Sequence, residues 1–304
     1  MAQDTSTPSG SASPERALSE PATPGPARTG PARPTTPAPA FDDNTPPQPP
    51  PPQPAELVDR LTTWARETAW VEWLELAGSL GRGAGDEYSD VDAGVGIGLA
   101  HGGSLDAVER ALSGFAPTAA MLRQPFGPET THLVSVYRDG RQLSLVVMPC
   151  AARTGLAPEA VALVDKSDRM ATPLDRATWD PDADKRREWS FLACIAAGDA
   201  LKHARRGTFW RALHSLTEAR DLYLKLLAAQ EHVIFPQFGA VSLENAGRPV
   251  PERVAATLVA SPDQQAITQA VGALVPLLVP FVVEHGLEDL FRALTLDTSA
   301  TQHP

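Results

Sequence analysis

The spacing of hydrophobic and polar positions along this chain changes period several times, and each change marks an element. After Pro54, AELVDRLTTWARETA places Leu57, Leu61 and Trp64 at helical intervals, and WVEWLELAG then reads as a buried strand running into a glycine-rich stretch. From Ser89 the pattern becomes strict alternation: Val91, Ala93, Val95, Ile97 and Leu99 at odd positions, Asp90, Asp92, Gly94, Gly96 and Gly98 at even ones. Successive strand residues point to opposite faces, so one face is predicted to be apolar and the other to carry two carboxylates and an open floor without side chains. A helix is predicted over 104–114. In HLVSVYRDGRQLSLVVMP, Asp139-Gly140 between two alternating runs signals a hairpin, and VALVD adds a short strand near 165. From about Lys185 the period is helical through KRREWSFLACIAAGDALKHARR, a Gly-Thr break, FWRALHSLTEARDLYLKLLAAQ and again over 263–295. These elements predict an α+β region with a small sheet over 55–178, followed by a helical bundle over 179–304.

Composition changes the picture at the N-terminus. Residues 1–54 hold 16 of the 30 prolines and are otherwise rich in Ala, Ser and Thr. Such a segment cannot bury enough apolar surface to offset its ordering entropy, so a disordered, polyproline-like tail is expected. No basic start followed by an apolar stretch marks a secretory signal. The apolar run VGALVPLLVPFVV at 271–283 is short for a bilayer and contains two prolines. The sequence therefore predicts a soluble, cytoplasmic protein with no membrane partner. Cys150 and Cys194 fit neither a disulfide framework nor a zinc site and read as small buried residues. Formal net charge is −11, and no region is net basic, which argues against extended nucleic acid as a partner.

The chemistry concentrates in LAGSLGRGAGDEYSDVDAGV, residues 76–95. Carboxylates at i and i+2 on one strand face stand roughly 6.5–7 Å apart at the backbone, and their side chains can converge on the same cations. Hard divalent ions that bridge phosphate oxygens take such oxygen ligands. Gly78-Ser79 follows a strand and opens a turn, so backbone N–H groups and a hydroxyl can face a phosphate chain. Glycines 81, 83 and 85 allow the tight return. The combination points to Mg²⁺ and a nucleoside triphosphate. No Gly-Lys-Ser/Thr triplet is present for a P-loop, and Gly94-x-Gly96-x-Gly98 lies inside a strand pattern, which removes the dinucleotide-binding reading.

GSLGRGAGDEYSDVD resembles the signature of polymerase-β-type nucleotidyltransferases, especially the small and antibiotic-modifying members, where Gly-Ser is followed by Ser-Asp-x-Asp. LKHARRGTFWRALHSLTEAR is similar to the helix, Arg-Gly break and second helix that follow the catalytic domain in that family. The resemblance implies a nucleotidyltransferase domain over 55–178 and a helical substrate-cleft domain over 179–304. It puts Gly78 and Ser79 on the triphosphate and makes Asp90 and Asp92 metal ligands for Mg²⁺. The implied activity is transfer of NMP from an NTP, with ATP favoured, to a hydroxyl of a small-molecule acceptor, with release of pyrophosphate. Negative net charge and the family analogy suggest a cationic acceptor such as an aminoglycoside.

The sequence departs from the family at one position. Many members carry a third carboxylate on a later strand, and here the matching site is Leu143-Ser144-Leu145, with Ser144 on the expected face. A serine does not replace a general base or an anionic ligand. Candidates for the missing function lie in the helical half: Glu218, three residues from Asp221, as the base, and Lys202 as a cation for the phosphates. The alternative is a catalytically silent nucleotide-binding sensor or antitoxin-like module.

Overall fold

The computed structural model describes residues 53–99 and 102–295, and these described residues belong to one compact unit. The expected tail at 1–54 lies outside the described residues except for its last two positions. Helix α1 (Pro54–Glu67) begins with proline at its first turn and buries Leu57, Leu61 and Ala65. Strand β1 (Val71–Leu76) and the single-turn helix α2 (Gly78–Gly81) lead to strand β2 (Val91–Ile97). Helix α3 (Leu105–Ser113) starts where Ser104 caps it, its hydroxyl accepting from the Ala107 N–H at 3.2 Å. Strands β3 (Thr118–Pro125), β4 (Thr131–Tyr137), β5 (Gln142–Pro149) and β6 (Val161–Asp165) complete a six-stranded sheet in the order β3-β4-β5-β2-β1-β6.

The sheet is mixed: β2 and β5 run parallel and the other pairs antiparallel. Val91, Val95, Leu133, Leu143 and Leu145 occupy one core with the apolar faces of α1 and α3. That backing leaves the opposite face of the same strands for chemistry. The α+β expectation matches this architecture. The edge strand β3 was not predicted, because TAAMLRQP is mostly exposed and lacks alternation.

Beyond residue 180 the chain is helical: α4 (Ala183–Arg205), α5 (Phe209–Gln230), α6 (Ala240–Asn245), α7 (Gln264–Glu284) and α8 (Glu288–Thr295). Gly207, with φ +68, makes the break between α4 and α5. These helices share a second core built on small residues such as Ala193, Ala197, Ala200 and Ala212, together with Leu216, Leu274 and Phe281. The apolar run at 271–283 belongs to the 21-residue α7, which is long and apolar enough to cross a membrane. Its Ile267, Val271, Leu274 and Leu278 are instead packed in this core, as in the central helix of a helical bundle.

Candidate functional site

The turn between β1 and β2 is built around close approach of backbone to a carboxylate. Gly78 has φ +62, and a Cβ there would lie 2.3 Å from Asp92 Oδ2, so conformation and space both demand glycine. The Ala77 N–H donates to the Asp92 carbonyl at 2.8 Å, which fixes the turn to the start of β2. The return loop is tied by hydroxyls: Ser79 Oγ donates to Ser89 Oγ at 3.0 Å, and Ser89 Oγ donates to Asp86 Oδ1 at 3.0 Å.

Asp92 faces Ser144 across the parallel β2–β5 pair, so the serine occupies the position where a third carboxylate was expected. Ser144 Oγ lies 2.8 Å from His132 Nε2 and also hydrogen-bonds Asp92. Burial pushes the Asp92 carboxyl above the usual carboxylate range, and the Asp90 charge adds to this; Ser144, His132 and Arg82 oppose it. Asp90 lies just before β2 and is exposed, in a groove with Tyr88, Asp139 and Arg141, outside the cavity lined by Asp92. Two residues from Asp92, its charge acts on the Asp92 carboxyl. Asp92 has no salt bridge among the described residues, so a half-buried carboxylate beside a like charge fits a hard cation. No three His, Cys, Asp or Glu side chains gather into a metal cluster among the described residues. A two-carboxylate set suits Mg²⁺, which commonly completes its shell with water and phosphate oxygens.

The predicted open floor is filled. A Cβ on Gly94 would meet Glu75 Oε1 at 2.7 Å, and one on Gly96 would meet the Trp73 ring at 2.1 Å. These glycines make room for large side chains of the neighbouring strand rather than for a ligand. Trp73 is fully buried, and the Arg153 guanidinium sits 4.7 Å from its ring centroid while pairing with Glu75 at 2.5 Å. This buried pair borders a second cavity of about 500 Å³ that reaches Asp92 and Ser144.

The main cavity, also about 500 Å³, is closed on its other side by the chain following α5. Ile234, Phe235, Phe238 and Val241 face Gly78, Arg82, Asp92 and His132 across it. Phe235 has φ 56 and ψ 52, a left-handed conformation rare for a bulky residue. It is braced by an edge-on contact with Trp179 at 5.5 Å and by the Ser242 hydroxyl, which donates to its carbonyl. Glu159, another lining residue at positive φ (61), approaches Arg82 at 4.0 Å.

Gly78 and Asp92 are therefore brought together in one cavity, with Ser79 in the adjoining turn. Glu218 and Lys202 are not. Both are exposed, and Lys202 is paired with Asp199 on its own helix. Glu218 does not line the cavity, although the wall folds back onto α5 one turn away: a Cβ on Gly239, next to Phe238, would lie 3.6 Å from the Asp221 carbonyl oxygen. Lys202, near the Arg205 end of α4, does not line the cavity either. The sequence reading missed Arg82, His132, Glu159 and Phe235. Arg82 lay inside the quoted motif, and His132 lay at the start of the predicted hairpin; no local signal marked the other two.

No family model and no curated protein matches the chain. Twelve chains of solved structures match it, among them two that illustrate the likeness in fold. One is an aminoglycoside 6-adenyltransferase from Bacillus subtilis, at 14% identity and TM-score 0.33, over 82% of this chain and 98% of that one. The other is a nucleotidyltransferase-like protein from Exiguobacterium sibiricum, at 14% identity and TM-score 0.36, over 79% of each chain.

Proposed function

We propose that this chain is a Mg²⁺-dependent nucleotidyltransferase that moves NMP from an NTP, with ATP favoured, to a hydroxyl of a small-molecule acceptor and releases pyrophosphate. The observation that carries the reading is the contact of Gly78 with Asp92: a turn without a side chain, set against a half-buried carboxylate with no salt bridge, at the edge of a cavity. Asp92 and Asp90 would hold the metal, which supplies charge neutralisation at the phosphates when bound. Gly78 leaves room for the triphosphate beside the carboxylate, and Ser79 offers a hydroxyl at the same turn. Arg82 is the cation the cavity provides for the leaving phosphates, in place of Lys202. His132, which lines the same cavity and is bonded to Ser144, is the proton acceptor, in place of Glu218. The region over 55–178 acts as the catalytic domain and 179–304 as the wall that closes the acceptor side.

Calorimetry with ATP and Mg²⁺, together with pyrophosphate release from α-labelled ATP over a panel of hydroxyl compounds, tests this. Asp92→Asn should weaken Mg²⁺-dependent ATP binding at least about tenfold while the circular dichroism spectrum is kept. Unchanged affinity in that variant would sink the metal assignment. Ser144 in the third-carboxylate position favours a second reading, a silent nucleotide-binding module. Wild type that binds MgATP and releases no pyrophosphate with any acceptor would establish it.

A further inference from the structure

We infer that the acceptor is an uncharged or singly charged hydroxyl compound bearing a ring, and not a polycationic amino sugar; this rests on the nucleotidyl-transfer reading above. The first argument is a charge count. Among the described residues, the main cavity is lined by two carboxylates, Asp92 and Glu159. Glu159 is already approached by Arg82 at 4.0 Å, and Asp92 is committed to the metal in the proposed reaction. At most Glu159, shared with Arg82, is left for one ammonium group, and each further charge taken from water without a partner is costly to bury. Net charge over the whole chain, which suggested a cationic acceptor, does not describe this cavity.

The second argument is the wall. Phe126, Val146, Ile234, Phe235, Phe238 and Val241 form its apolar lining. Phe126 follows β3 and Phe238 lies in the turn after α5, and they are 67% and 61% exposed. Two exposed rings from separate elements on one cavity are a stacking surface. The platform is held in place: Phe238 packs edge-on against Phe235 at 6.3 Å, and Phe235 against Trp179. The left-handed backbone at Phe235 is a third observation, since strain of this kind persists where the surroundings enforce it and gathers at binding sites. Phe126 also lies 5.9 Å from the His132 ring, so the apolar wall adjoins the proposed proton acceptor, whereas Gly78 and Ser79 lie on the phosphate side. This places the ring of the acceptor, and not the nucleobase, against the phenylalanines.

The test uses the full chain with Mg²⁺ and a non-hydrolysable ATP analogue. Four probes are titrated by calorimetry: phenyl β-glucoside, 1-phenyl-1,2-ethanediol, methyl β-glucoside and kanamycin. The two aryl compounds should bind roughly fivefold or more tightly than methyl β-glucoside, and Phe238→Ala should remove about that factor. The variant should fold, because the ring is mostly exposed; Phe238→Trp should retain binding. Kanamycin binding more tightly than either aryl compound would overturn the inference. So would aryl binding indifferent to Phe238→Ala, or a loss of ATP-analogue affinity in that variant with aryl binding intact, which would give the wall to the nucleobase. Nucleotide binding with no aryl binding defeats the inference and leaves nucleotidyl transfer standing. Failure of wild type to bind nucleotide defeats the transfer reading, and the acceptor assignment with it.

Discussion

Replacing Gly78 by alanine tests the geometry on which the site rests. The substitution forces a residue with a side chain into the left-handed region, at a cost of about 1–2 kcal/mol. It also sets a Cβ 2.3 Å from Asp92 Oδ2 and 3.0 Å from Asp92 Cβ and Cγ, inside any tolerable contact. The carboxylate must then leave its rotamer, at about 0.5–1.5 kcal/mol, and loosen its bond to Ser144, at about 0.5–1.5 kcal/mol. The sum is about 3 kcal/mol, which for a chain of this size lowers Tm by roughly 6–12 °C. Gly83→Ala is the matched control: φ is +71, but nothing lies within 4 Å of the new Cβ, so only the left-handed cost of about 1–2 kcal/mol applies. Scanning calorimetry should rank the two variants in that order. Displacement of Asp92 should also weaken MgATP binding about tenfold in Gly78→Ala alone. Equal losses of Tm, or MgATP affinity untouched in Gly78→Ala, would refute the close approach of turn and carboxylate.

Other outcomes follow from the same structure. Gly96→Ala brings a Cβ within 2.1 Å of the buried Trp73 ring and should destabilise by about 1–3 kcal/mol or more, read as a lower Tm with the indole fluorescence shifted; a neutral result would mean that the ring moves freely. Tyr137 donates to the Leu112 carbonyl at 3.0 Å, and burial pushes its phenol up to about 12. A group whose pKa is raised on folding keeps its stabilising contribution below its unfolded value, near 10, and loses it as pH rises toward 12. Wild type should therefore lose roughly 2–3 kcal/mol across that window, and Tyr137→Phe should show a flatter Tm profile there. Lys202→Ala and Glu218→Gln should leave MgATP affinity unchanged, because neither side chain lines the cavity; a tenfold loss in either would show that it reaches the nucleotide.

Much of this protein was legible in the order of its residues. Helical spacing of Leu57 and Leu61, alternation from Val91, and Gly207 between two helical runs are local signals, set by side-chain period and by the backbone freedom of glycine. Gly78, Ser79 and Asp92 could be picked out because their chemistry is carried by a contiguous segment. What adjoins them could not, because it depends on register and on distant chain. Val136 pairs with Gln142 and His132 with Val146, so His132 shares the face of Ser144; a slip of one residue would send its ring to the other side. The glycines of β2 looked like an open floor because the sequence does not say that Trp73 and Glu75 come from the neighbouring strand to fill it. The same holds for the helical half. Periodicity showed that α4 and α5 exist, but only their packing put the chain beyond Gln230, and not Glu218, against Asp92. Local preference is written in each segment, whereas the meeting of segments is decided by burial over the whole fold.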